Sequence, residues 1–225
     1  MRNRKATLTL VVFGALAGAL LHWARDPIRL RRGEHRGIDV SAHQGKIHWP
    51  MVAAAGIEFA YIKATEGGDW VDEGFRENWR QAGAAGLKRG AYHFFTLSRP
   101  GVEQAENFLR VAPPEVGSLP PIVDLEFGGN TQQRPPRESV LRELSAFLHR
   151  VESVHRRPAV LYVLPEFQSR YAVREAFPRE IWLRSLWQRP SSQESWKIWQ
   201  YTPLGRVPGI QGDVDLNVAT GLLDS

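Results

Sequence analysis

Pro120-Pro121-Ile122-Val123-Asp124-Leu125-Glu126 is the stretch on which the reading of this chain turns. The two prolines disfavour a helix, and the β-branched pair behind them reads as buried strand. Side chains alternate between the faces of a strand, so Asp124 and Glu126 share one face with Cα atoms ~6.6 Å apart. The pair ends the strand, directly before Phe127-Gly128-Gly129-Asn130. Two carboxyls so close cannot both ionise freely, so one pKa is expected to rise. A protonated acid beside an ionised partner is what glycoside hydrolysis requires. An isolated Asp-x-Glu, however, is usually only a strand end running into solvent. The rest of the chain has to decide.

Working outward, short apolar runs with β-branched or aromatic residues recur at 37–40, 58–64, 90–96, 121–126, 159–163, 181–186, 196–202 and 213–218. Helical patterns at 49–55, 72–85, 101–111, 137–155 and, more weakly, 166–177 separate the early ones. The clearest is 137–155, with Val140, Leu141, Leu144, Phe147, Leu148 and Val151 on one face. Strand-helix alternation argues for an α/β fold with a parallel sheet. Eight strands suggest a closed barrel, but the last three leave no room for full helices and a complete (β/α)8 barrel usually takes ~250 residues. The expectation is a trimmed TIM-like barrel. An open doubly wound sheet is the alternative, although no Gly-rich phosphate loop follows an early strand.

In a β/α barrel the carboxyl ends of the strands form the active-site face. Asp39 closes the first strand candidate, and Asp213 and Asp215 stand at the last. First and last strands of a closed barrel are neighbours, so Asp39 and Asp215 are expected to meet Asp124 and Glu126. A buried acidic cluster is costly without a purpose.

Composition removes competing functions. The chain has 225 residues, 43% of them hydrophobic, which suits one sizeable core rather than two large ones. With no cysteine it has no disulfide framework, thiol nucleophile or zinc-thiolate site. Residues 1–36 carry eight basic and two acidic side chains, a net +6 against +5 for the whole chain, so the body is near neutral at −1. Such a body offers no nucleic-acid footprint. Arg2, Arg4 and Lys5 followed by an uncharged, mainly apolar stretch read instead as an export signal. An uncleaved membrane anchor over residues 6–23 is the competing reading. The expected organisation is a signal peptide or anchor at 1–24, a basic linker at 25–36 and a catalytic domain at 37–225. The expected location is the periplasm, cell envelope or extracellular space.

With these residues assembled, the chain resembles glycoside hydrolase family 25, the lysozyme family of muramidases. Gly37-Ile38-Asp39-Val40-Ser41-Ala42-His43-Gln44-Gly45 resembles the family's opening strand and loop. Residues 57–67, Gly90-Ala91-Tyr92-His93-Phe94 and 121–126 resemble its second, third and catalytic strands. Trp199-Gln200-Tyr201-Thr202 and Val214-Asp215-Leu216-Asn217 resemble its closing segment. The resemblance implies a (β/α)5β3 barrel that cleaves the β-1,4 bond between N-acetylmuramic acid and N-acetylglucosamine, with peptidoglycan glycan strands as partner and no cofactor or metal. By position it makes Glu126 the general acid, Asp124 its carboxylate partner, and Asp39 and Asp215 the rest of an acidic floor. On this scheme Glu126 has the raised pKa while Asp124 stays charged. The chain departs from the family at Trp182-Leu183-Arg184-Ser185-Leu186-Trp187 and at Val163-Leu164-Pro165.

Aromatic rings near strand ends stack on sugars, and Tyr61, Tyr92, Tyr162 and Trp182 are candidates, each weighed against ordinary core packing. Gln200 is a candidate to bond an acetamido group. His43 and His93 are expected near the cleft as hydrogen-bonding groups, since no His-Glu-x-x-His or similar ligand set occurs. Ser41 lacks a Gly-x-Ser-x-Gly elbow, which leaves a serine hydrolase weakly supported. Two other functions stay open: a non-catalytic carbohydrate-binding barrel, and an endo-glycosidase acting on chitin-like chains.

Overall fold

Alternation along the strands builds two cores at once. In the computed structural model, which describes residues 28–186, 188–191 and 195–221, the chain forms β1 (Glu34–Val40), α1 (Trp49–Ala54), β2 (Phe59–Glu66), β3 (Trp70–Val71), α2 (Phe75–Ala84) and β4 (Lys88–Phe94). It continues through α3 (Gly101–Val111), β5 (Ile122–Leu125), α4 (Arg137–His155) and β6 (Val160–Val163). Last come α5 (Pro165–Tyr171), α6 (Val173–Ala176), β7 (Ile181–Arg184), β8 (Ile198–Gly205) and β9 (Val214–Thr220). Residues of one parity, among them Ile38, Ile62, Val123, Leu161, Leu183, Trp199 and Val218, pack outward beneath the helices. Those of the other parity, Phe59, Tyr61, Ile122, Val160, Tyr162, Trp182, Ile198 and Ala219, fill the interior.

The sheet closes. Hydrogen bonding runs β1-β9-β8-β7-β6-β5-β4-β2, and β1 also pairs with β2. Only β9 is antiparallel to its neighbours, while β3 is a two-residue return on the end of β2. Helices follow each of the first five barrel strands and, among the described residues, none follows the last three, which is the expected (β/α)5β3 barrel. The open doubly wound sheet is excluded by the β1–β2 pairing.

Interior space is limited, and two glycines make it. A Cβ on Gly37 would lie 2.2 Å from the Phe59 ring, and one on Gly90 would lie 2.1 Å from the Tyr61 ring. Both rings are fully buried, and burying a large apolar side chain contributes ~1.5–3 kcal/mol. Outside, α4 buries Val140, Leu144, Phe147, Leu148 and Val151 and stops at Arg156, which takes the left-handed conformation at φ 56°.

Two boundaries differ from the sequence reading. The segment 166–177 is not one helix. Ala172 at φ 49° ends α5 and opens α6. The linker also ends earlier than Arg36. Glu34, His35 and Arg36 already belong to β1, paired with Thr220, Ala219 and Val218, and Glu34 is held by Arg189. The export or anchor segment, 1–24, lies outside the described residues. Among those described, no helix is long and apolar enough to cross a membrane.

Candidate active site

Strand register alone brings the acidic residues together. Around the barrel, Asp124 stands beside Tyr162, Tyr162 beside Trp182, Arg184 beside Gln200 and Gln200 beside Asn217. Asp39 stands directly opposite Asp215 across the antiparallel β1–β9 ladder. All these side chains have inward parity near the carboxyl ends of the parallel strands. All of them but Asn217 line a cavity of about 220 Å³ together with Tyr92, Ile122 and Glu126. The four carboxylates picked from sequence, Asp39, Asp124, Glu126 and Asp215, therefore share one mouth.

Asp39 sits in a continuous hydrogen-bond chain. The Trp182 indole N–H donates to Asn217 Oδ1 at 3.0 Å, and Asn217 Nδ2 donates to Asp39 Oδ2 at 2.7 Å. From the other side the Tyr162 hydroxyl donates to Gln200 Oε1 at 2.9 Å, and Gln200 Nε2 reaches the same Asp39 oxygen at 3.4 Å. Burial and the facing Asp215 charge push the Asp39 carboxyl well above the usual range, against the pull of Asn217 and Gln200. Burial also raises Asp215, less strongly, because the Asp39 hydrogen bond and the Arg184 charge oppose it. Both carboxyls of this facing pair are raised, Asp39 the more strongly.

The β5 pair is arranged differently. Asp124 Oδ1 is buried without a hydrogen-bond partner. Burial first, then the Glu126 charge, pushes Asp124 well above the usual range, and Lys63 opposes the shift. Glu126 lies one residue past the strand, nearer the opening. Its carboxyl is raised by burial, held back by Arg184 and Lys63, and raised further by Glu166 and Asp215. A shift confined to Glu126 is therefore not what the geometry produces. Asp124 is raised as well, because it lies deeper and nothing donates to its inner oxygen.

This barrel, its register and its acidic mouth can be set beside known proteins. The model of the family described as glycosyl hydrolases family 25 matches residues 38–210. The chain belongs to glycosyl hydrolases family 25. It is 34% identical to lysozyme M1 of Streptomyces globisporus over 208 residues, covering 83% of this chain and 68% of that protein. A family 25 glycosyl hydrolase from Bacillus anthracis superimposes with a TM-score of 0.78 at 36% identity, covering 86% of this chain and 92% of that one. A bacterial lysozyme from Streptomyces coelicolor gives 0.76 at 31% identity, covering 86% and 97%. As a family 25 member the chain is a glycoside hydrolase.

Of the sugar-contacting candidates, Tyr92, Tyr162, Trp182 and Gln200 reach the cavity of this family 25 barrel. Tyr61 does not. It is fully buried below the site, tilted against Trp182 at 5.4 Å, with its hydroxyl donating to the Pro120 carbonyl. His93 is also misplaced by the sequence reading. It has outward parity on β4, fully buried between sheet and helices, bonded to Thr65 and Gln104 and stacked on Phe147 at 4.8 Å. Burial lowers its pKa to about 3. His43 is exposed, and Ser41 Oγ, 2.9 Å from its Nδ1, caps a short 3-10 turn after β1. Among the described residues, no group of three or more His, Asp or Glu is placed to hold a metal ion.

Three residues near the site were not singled out from sequence. Asn217 and Arg184 each follow an inward residue, Asp215 and Trp182, at the two-residue spacing of a strand, and that spacing was the available signal. Lys63 has inward parity on β2. Its ammonium is 2.8 Å from Glu66 and lies over the Trp70 and Phe94 rings. Its charge reaches Asp124 and Glu126.

Proposed function

We propose that this family 25 hydrolase is a lysozyme-type muramidase, cleaving the β-1,4 bond between N-acetylmuramic acid and N-acetylglucosamine in peptidoglycan, with Glu126 as general acid. The observation that carries the reading is the Asp124–Glu126 pair, with Asp124 Oδ1 left without a partner, at the mouth of a barrel whose relatives include lysozymes. Glu126 gives its proton to the glycosidic oxygen as the bond to C1 breaks, and the leaving sugar departs as a neutral alcohol. Positive charge developing at C1 faces Asp124. That carboxylate orients the nucleophile, either a water or the oxygen of the substrate's own acetamido group. Where water attacks C1 directly, its proton passes to Asp124; where the acetamido oxygen attacks, water then opens the cyclic intermediate and returns a proton to Glu126. The Asp39–Asp215 pair adds negative potential below the reacting carbon. Tyr92, Tyr162 and Trp182 wall the sugar ring, and Gln200 presents an amide to its substituents.

Purified full chain, incubated with peptidoglycan and separately with chitin oligomers, should yield new reducing ends on N-acetylmuramic acid in the first case. Mass spectrometry identifies them. Reducing ends only on chitin would convert the reading to a chitin-type endo-glycosidase. Binding without cleavage of either would leave a carbohydrate-binding barrel.

We also place the site of action outside the cytoplasmic membrane, with residues 1–24 as the export signal or anchor. The support is the basic start, the apolar stretch after it and the location of the substrate. Full-length protein recovered entirely from the soluble cytoplasmic fraction would reject it.

A further inference from the structure

Arg184 is the one cation among the described residues that line the catalytic cavity. It ends β7, two residues beyond Trp182 and beside Gln200. Its Nε is buried without a hydrogen-bond partner. Its charge is felt by Glu126, Asp215 and Tyr162, yet it forms no ion pair with any described residue. The other nearby cation, Lys63, is committed to Glu66. A buried donor left open in a native fold calls for an explanation, and this one belongs to a side chain on the wall of the cavity. A guanidinium has five donors in a rigid plane that matches a carboxylate two bonds at a time. The rest of the lining includes four carboxyls, which would repel an anionic substituent unless a cation received it. A neutral chitin chain would need no such cation.

We propose that Arg184 is a specificity-determining residue that pairs with the carboxylate of the 3-O-lactyl group on a peptide-free muramyl residue. This rests on the muramidase reading and goes beyond it by naming the form of glycan preferred. When a stem peptide is attached, the lactyl carboxyl becomes an amide and the nearest carboxylates move out along the peptide. The lactyl carboxylate itself stays within two carbons of the ether oxygen on C3 that carries it, inside the reach of the cavity.

The test compares kcat/KM on three glycan preparations: peptide-free strands with the lactyl acid free, the same strands capped as methylamides, and peptide-bearing strands. The wild-type chain should favour the free acid over the methylamide by about tenfold, the scale of one charge-assisted hydrogen bond. Arg184→Gln should bring that ratio to about one, and Arg184→Lys should restore part of it. Because the Arg184 charge also acts on Glu126 and Asp215, turnover should fall on every substrate, so the ratio rather than the rate is the readout. Equal cleavage of acid and methylamide by the wild type, or an unchanged ratio in Arg184→Gln, overturns the proposal and leaves the muramidase reading standing. An Arg184-dependent preference confined to peptide-bearing strands assigns the carboxylate to the stem and overturns the lactyl assignment. Cleavage of none of the three overturns the muramidase reading and this proposal with it.

Discussion

The mouth of the barrel holds two acidic pairs a few ångströms from each other, and they are finished to different degrees. Asp39 and Asp215 face each other across a ladder, and Asp39 is tied through Asn217 and Gln200 to Trp182 and Tyr162. Asp124 on β5 and Glu126, one residue past its end, share a face, and Asp124 Oδ1 has no hydrogen-bond partner. A satisfied buried network rigidifies its surroundings, whereas an unsatisfied one carries a stability cost that chemistry has to explain. The first pair reads as the positioned floor and the second as the groups kept open for substrate.

The hardest test of that division is catalytic. Glu126→Gln should lower kcat on peptidoglycan by ~10²–10⁴-fold, the usual contribution of general acid catalysis. Far-UV circular dichroism and substrate binding should be kept. An activated aryl glycoside, if cleaved, needs less protonation and should lose less. Asp124→Asn should impair both substrates, because orienting the nucleophile matters whatever the leaving group. Wild-type activity in Glu126→Gln, or leaving-group dependence in Asp124→Asn alone, would reverse the two roles.

A smaller effect separates the floor from the open pair by stability. Asp39→Leu strips the acceptor from Asn217 and Gln200 and should destabilise by about 1–3 kcal/mol, the cost of buried donors without a partner. Asp39→Asn keeps an acceptor for those donors and an N–H toward Asp215, so it should change the denaturation midpoint far less. If both variants melted alike, the hydrogen-bond chain around Asp39 would not be what holds the floor.

Much of this was legible in the sequence because a barrel strand obeys a period of two. Asp124 and Glu126 were found that way, Asp39 and Asp215 as acidic ends of strands that a closed barrel makes neighbours; the missing helices late in the chain gave a trimmed barrel, and the family resemblance implied (β/α)5β3. Periodicity gives the face but not the depth. Tyr61 has inward parity like Lys63, yet it lies one layer lower, where its hydroxyl meets Pro120 instead of a sugar. His93 was a parity oversight, since inward Tyr92 beside it already placed it outside. The break at Ala172 had no local signal, alanine being a poor left-handed residue. Residues Glu34 to Arg36 read as linker because their strand is specified by its partners on β9 and by Arg189, both far away in sequence.

The smallest effect expected is one of sign. Asp124 is raised in the folded chain, so between its unfolded and folded pKa the native state holds a proton that the unfolded chain has released. Its contribution is present below the unfolded value, near 3.9, and is lost as pH rises through the folded one. This is opposite to a carboxylate stabilised by a salt bridge. Asp124→Asn cannot lose that proton, and it no longer sets an anion beside the Glu126 charge. The variant should therefore melt close to the wild type near pH 4 and above it near pH 8, by roughly 1 kcal/mol, the size typical of relieving a functional site. Asp39→Asn should show a weaker trend, since it gives up a carboxylate oxygen that accepts from Asn217 and Gln200. Thermal melts of both variants across that range give the comparison directly. A gap that shrank toward pH 8, or one larger for Asp39→Asn than for Asp124→Asn, would mean that the β5 pair is not the strained one.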